Sequence, residues 1–183
     1  MTVENYAAIS EMYALLSRLW IREVDEALQQ KLVESEVIGE LGMKPSDVAD
    51  LESLAVEYCA LFIGPKDHLP PIQSVWETGQ LQTEISDSMQ GFSELLNLSE
   101  PETMSDHLGN QLRVMSELTG LLSSSESATK FTDVASVFFG RHLMWAGPLL
   151  RAGQRKTNSA FYRSMFELTD ELLTSETKHW VSV

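Results

Sequence analysis

Ile9-Ser10-Glu11-Met12-Tyr13-Ala14-Leu15-Leu16-Ser17-Arg18-Leu19-Trp20 places Ile9, Met12, Tyr13, Leu16, Leu19 and Trp20 at i, i+3, i+4, i+7, i+10 and i+11. That is the spacing of one face of an α-helix, since a half-buried strand alternates every second residue. The same period runs outward along the chain. Val24, Ala27, Leu28 and Leu32 mark a second helix, and Gly39 and Gly42 punctuate the chain before Pro45. Residues 46–63 read as a third, with Ser46 or Asp47 as N-cap and Val48, Leu51, Leu54, Ala55, Tyr58, Leu61 and Phe62 inward, ended by Gly64-Pro65. After Pro70-Pro71, the Ser74-Val75-Trp76-Glu77 capping box predicts a helix starting at Ser74, which Leu81, Ile85, Met89 and Phe92 continue or follow closely. Further stripes are Leu108-Leu112-Met115-Leu118-Leu122, then Phe131-Val134-Ala135-Phe138-His142-Trp145, then Phe161-Met165-Leu168-Leu172. A serine-rich turn at 123–127 separates the first two, and Gly147-Pro148 breaks or kinks the chain before the last. With no alternating run bounded by hairpin turns, the fold is expected to be all-α, of about nine to ten helices counting short ones.

Polar, proline-containing chemistry over 97–105 marks a linker. It divides the expected bundle into an N-terminal subdomain (1–97), a hinge (98–106) and a C-terminal subdomain (107–183). At 183 residues such a chain can bury a substantial core without staples. No stretch approaches the ~20 apolar residues of a membrane span. The start of the chain has neither a basic segment nor the continuous apolar run of a signal peptide, so a cytoplasmic protein is expected. A single cysteine, Cys59, excludes an internal disulfide and reads as a small buried hydrophobe on its helix.

Net charge is −14, with 17 acids and 5 bases over residues 1–97 against 10 acids and 8 bases over 98–183. Phosphate binding needs clustered Lys and Arg, so nucleic acid is a poor partner, whereas a cationic one is easily accepted. Solubility alone also accounts for an excess of acids.

Motifs for catalysis are missing. Neither phosphate-binding glycine pattern occurs, and Gly64-Pro65-Lys66 is too short to cradle phosphates. His68, His107, His142 and His179 are not spaced to put two on one helical face, so no metal site is expected. Asp106-His107 admits three readings: an acid-base unit, a helix start in which Asp106 favours the positive end of the dipole, or a ligand-binding pair. His142, on an apolar stripe, reads as a core histidine.

Tyr58-x-x-Leu61-Phe62-x-Gly64-Pro65, followed by Pro70-Pro71-x-x-Ser74-Val75-Trp76, resembles the most recognisable motif of the TorD/DmsD/NarJ family. Asp106-His107-Leu108-Gly109 with Leu112 is similar to its D-H-I-G segment, and His142-Leu143 with Pro148 to its H-L-x-x-W-x-P segment. Phe161-Tyr162-x-x-Met165-x-x-Leu168-Thr169 resembles its closing helix, so the likeness spans about 46–173. The sequence departs from the pattern at Gln73, where many members carry Glu or another residue, and at Trp145, one residue earlier than usual. The first departure alters polarity at the loop.

The resemblance implies an all-helical cytoplasmic chaperone, not an enzyme. Such a chaperone holds the N-terminal leader of a molybdenum-cofactor oxidoreductase apo-enzyme until its cofactor is inserted, and delays export of twin-arginine clients. It implies no cofactor of its own. The leader-binding groove is expected between the Pro-Pro-x-x-Ser and Asp-His segments, lined by Tyr58, Phe62, Pro71, Ser74, Trp76, Asp106 and His107. Asp106 would pair with a leader arginine and Trp76 would shelter its apolar stretch. A monomer or a domain-swapped dimer is compatible with the pattern. Two alternatives stay open: a sibling that matures a non-exported metalloenzyme such as a nitrate reductase subunit, and an enzyme using Asp106, His107 or Glu77 as acid or base.

Overall fold

A computed structural model describes residues 3–34, 37–40, 44–81, 83–124 and 128–181. Met1-Thr2, Gly42 and residues 125–127 of the serine-rich turn, all used in reading the sequence, lie outside the described residues. The helices are α1 (Val3–Ile21), α2 (Glu26–Glu34), the four-residue α3 (Val37–Glu40), α4 (Leu51–Tyr58), α5 (Gln73–Thr78) and α6 (Glu84–Leu95). They continue as α7 (Leu108–Leu122), α8 (Ala128–His142), α9 (Ala146–Lys156) and α10 (Ala160–Trp180). Among the described residues there is no strand, only one isolated antiparallel bridge between Ile72 and His107. The all-α expectation holds.

Local chemistry explains where several elements depart from expectation. The helix read over 46–63 is split into a 3₁₀ turn at Pro45–Val48 and α4, because Asp50 is extended and its carboxylate accepts from the Ser53 N–H at 3.1 Å. Asp50 is therefore the N-cap, in place of Ser46 or Asp47. Beyond Tyr58 the helix widens into a π turn, Cys59–Ile63, ended by Gly64. Cys59 is exposed there instead of buried, since Tyr58, Leu61 and Phe62 take the inward positions. α5 stops at Gly79, whose φ of 72° is strained for other residues, and Thr83 caps α6 as a separate helix. Pro148 does not break a helix: the break falls at 143–145, and Pro148 sits in the first turn of α9, where a missing N–H costs nothing.

The described chain divides into two compact units. The first comprises residues 1–21, 71–146 and 173–183, the second 22–70 and 147–172. These boundaries differ from the expected division at 98–106. That segment lies inside the first unit, where Ser105 Oγ donates to the Ser86 carbonyl at 3.2 Å and Asn110 Nδ2 donates to the Met104 carbonyl at 2.7 Å. Proline and polar residues mark the segment as a loop, but its hydrogen bonds tie it down.

In the first unit α1 packs on α7, and α7 on α8. Tyr13, Leu16, Leu19 and Trp20 of α1 are buried with Leu108, Leu112, Met115 and Leu118 of α7 and Phe138 and Phe139 of α8. Ser17 Oγ donates to the Gly109 carbonyl at 2.8 Å and Ser10 Oγ to the Ser116 carbonyl at 2.8 Å, so both serine hydroxyls are satisfied, whereas the buried Tyr13 hydroxyl has no hydrogen-bond partner among the described residues. In the second unit, a Cβ added at Gly153 of α9 would stand 2.1 Å from the Phe166 ring, which is why only glycine allows this approach. No described helix is long and apolar enough to cross a membrane.

Candidate functional site

Three of the motif blocks meet in the first unit. Pro71–Glu77 forms the approach to α5 and most of that short helix, Asp106–Gln111 opens α7, and His142–Trp145 ends α8. The backbone makes the first join. Gln73 N–H donates to the Asp106 carbonyl at 3.1 Å and Leu108 N–H to the Pro71 carbonyl at 2.8 Å, flanking the Ile72–His107 bridge.

Asp106 and His107 then cap two different helices. Asp106 is fully buried, and its Oδ2 accepts from the Ser74 N–H of α5 at 2.9 Å while its Oδ1 accepts from Ser86 Oγ at 3.3 Å. A carboxylate at the start of α5 satisfies an orphan donor and favours the positive end of the helix. The expected Ser74/Glu77 capping box does not form: α5 starts at Gln73, its cap comes from thirty-two residues away, and Ser74 Oγ is buried without a hydrogen-bond partner. His107 caps its own helix, Nδ1 accepting from Gly109 N–H at 3.0 Å. Its ring must therefore be neutral with the proton on Nε2. Burial pulls its pKa down to about 4, against a smaller opposing pull from Asp106.

A buried polar network, missed in the sequence, makes the second join. Gln73 Nε2 donates to the Arg141 carbonyl at 2.8 Å and to Glu77 Oε1 at 3.0 Å, which fixes the orientation of the amide. Gln73 Oε1 therefore accepts, from Gln111 Nε2 at 2.7 Å and from His142 Nδ1 at 3.0 Å. With Nδ1 protonated, His142 Nε2 accepts from the Ser88 hydroxyl at 2.9 Å. Trp145 Nε1 closes the chain, donating to Gln111 Oε1 at 2.9 Å and to the His142 carbonyl at 3.0 Å. Gln73, Gln111, His142 and Trp145 are all buried. Burial, reinforced by Arg141, brings the His142 pKa down to about 4, while Asp106 opposes weakly. Gln73 and Trp145, the two departures from the family pattern, are thus both members of one hydrogen-bonded chain. The sequence signals were the departures themselves, Gln73 where many members carry Glu or another residue and Trp145 one position early.

Of the seven expected lining residues, Pro71, Ser74, Asp106 and His107 are buried parts of this junction, and Trp76 is half-buried beside it. Tyr58 and Phe62 belong to the second unit. Their rings, 5.0 Å apart, join Tyr162 and Phe166 in an aromatic cluster. There Tyr162 OH donates to the Leu54 carbonyl at 3.1 Å. The expected groove lining is therefore core in both units, except at Trp76.

Surface depressions lie among the described residues of each unit. One of about 140 Å³ in the first unit is lined by Glu94, Leu98, Glu100 and Pro101 among others. The other, about 480 Å³ in the second unit, is lined by Glu57, Leu61, Gly64, Pro65, Lys66 and Lys156 among others and carries both signs of charge. Among the described residues no group of three or more His, Cys, Asp or Glu is arranged to hold a metal ion.

The helical architecture is shared with a proposed redox enzyme maturation protein from Archaeoglobus fulgidus, at a TM-score of 0.64 and 20% identity over 92% of this chain and 93% of that one. The chain is also 26% identical over 156 residues to the chaperone protein YcdY of Escherichia coli K12, covering 85% of this chain and 78% of that protein. The likeness to the solved structure is one of fold, and the described residues share its all-helical class. The chain belongs to the nitrate reductase delta subunit family, whose profile matches residues 20–151, the NarJ- and TorD-type group that the motifs resemble.

Proposed function

We propose that this protein is a cytoplasmic chaperone that binds the N-terminal twin-arginine leader of a molybdoenzyme and holds the apo-enzyme while its cofactor is loaded, before export. The observation that carries the reading is that the family match, residues 20–151, takes in all three blocks of the junction. A relative that carries the word chaperone in its name aligns over most of the chain. The charge of −14 supports a cationic partner, because a leader with paired arginines brings positive charge to an acidic surface. In this reading the approach to α5 and its first turn supply a rigid face, held in place by the buried Asp106 and His107, with Trp76 as the aromatic anchor for the apolar part of the leader. Tyr58 and Phe62, packed in the core of the second unit, serve its stability. The client binds the chaperone as substrate, and no chemistry by the chaperone's own side chains is required.

Calorimetric titration with synthetic leaders from molybdoenzymes of the same genome tests the proposal, with micromolar or tighter binding expected. Absence of binding to every one of them overturns the twin-arginine form. Maturation of a non-exported enzyme, recognised by a tail without paired arginines, is not favoured by any observation on this chain.

A further inference from the structure

Sequence reasoning made Asp106 the partner of a leader arginine. Its carboxylate is fully buried, and both oxygens already accept hydrogen bonds from Ser74 and Ser86. Drawing it out to an incoming cation would strip the cap from α5 and expose a cavity, so Asp106 is fitted to hold α5, not a ligand.

The network offers a different carboxylate. Glu77 lies next to Trp76 near the end of α5, is exposed, and receives the Gln73 Nε2–H at Oε1 over 3.0 Å. Gln73 is only 2% exposed; its Nε2 also donates to the Arg141 carbonyl, and its Oε1 accepts from Gln111 and His142. An exposed glutamate ordinarily loses rotamer freedom when it grips a cation, which is one reason surface ion pairs are weak. Here one oxygen of Glu77 is tethered to a buried and fully bonded amide, so part of that ordering is already in place before a ligand arrives. The tether engages one oxygen of a residue that is exposed as a whole, and a guanidinium is the cation whose planar fork best matches a fixed carboxylate.

Resting on the leader-binding reading, we propose that Glu77, oriented by Gln73, is the specificity-determining carboxylate that receives an arginine of the leader. Gln73 is its positioning residue. Trp76, adjacent in sequence and half-buried, contacts the apolar residues that follow the arginines.

The test is a titration of the full chain with one twin-arginine leader and its twin-lysine counterpart, across a range of salt. Glu77→Gln is expected to weaken the arginine leader about three- to tenfold and to flatten the dependence of affinity on salt. It should also shrink the preference for arginine over lysine, a readout that a loss of folding alone does not move. Gln73→Ala should reproduce part of the loss of arginine preference. Asp106→Asn should lower the unfolding midpoint and leave the affinity of the folded protein within about twofold. Unchanged arginine affinity and salt slope in Glu77→Gln, in a protein whose natural form binds the leader, overturn the proposal while leaving the chaperone reading in place. The same holds if Asp106→Asn alone erases the arginine preference. Failure of the natural protein to bind either leader overturns both.

Discussion

The junction of the first unit and the aromatic cluster of the second hold their motif residues by opposite means. In the junction, Gln73, Gln111, His142, Ser88 and Trp145 satisfy one another in a directed chain while Asp106 and His107 cap separate helices. In the cluster, Tyr58, Phe62, Tyr162 and Phe166 meet through ring contacts, with one hydroxyl donating to a carbonyl. Apolar packing is tolerant of charge state and sensitive to volume. A buried polar chain is the reverse: losing one partner strands the others, so each member depends on the protonation and identity of its neighbours. A shared motif therefore does not mean a shared role; the junction carries the half-buried Trp76 and the exposed Glu77 at its surface.

The contrast can be broken by substitution. The largest effect is expected at the cluster: Phe166→Ala, at a fully buried ring packed on Gly153, should cost about 3–5 kcal/mol in denaturant unfolding, nearly the same at pH 5 and pH 7. A loss that varied strongly with pH would place a titrating group where none is described.

Acid should act on the junction instead. His107 and His142 have pKa values of about 4 in the folded chain against about 6.5 unfolded, so burial favours their neutral forms. Their contribution is fully present above about pH 6.5 and is lost as pH falls through 4, up to about 3 kcal/mol apiece. Unfolding free energy followed from pH 7 to pH 4 should fall accordingly, and His142→Gln should remove part of the slope. An unaltered slope would mean that His142 takes up its proton at the same pH in the folded and the unfolded chain.

Asp106→Ala should follow at about 2–3 kcal/mol, since it leaves the Ser74 N–H buried without its acceptor. Calorimetry reads it directly, and a near-neutral result would deny the remote cap. The smallest change belongs to Cys59→Ser, whose thiol is exposed on the π turn and should shift stability by no more than about 0.5 kcal/mol. A larger loss would restore the buried reading of that residue.

How much of this was legible varies residue by residue. The stripe from Ile9 to Trp20 could be read because an amphipathic helix repeats its signal every turn, and Tyr13, Leu16, Leu19 and Trp20 are indeed buried. Caps depend on fewer atoms. Ser74 and Glu77 carried the right letters for a box, yet the actual acceptor comes from Asp106, a partner that no local pattern discloses. Cys59 was misread from the general tendency of cysteine to be buried, whereas Tyr58, Leu61 and Phe62 already hold the inward face and leave position 59 outside. Gln73 looked like a mere loss of charge on a loop, while its four hydrogen-bond contacts reach residues from four to sixty-nine positions away.

The chain alone determined its helical class, the places where its helices start and stop to within a few residues, and the family to which its motifs point, because these rest on repeated or contiguous signals. Tertiary structure decided which motif residues are caps, which are core and which reach water. That outcome depends on donors and acceptors brought together from distant positions, and a buried hydrogen bond is specified by two partners at once, whereas a stripe of leucines is specified by one segment at a time.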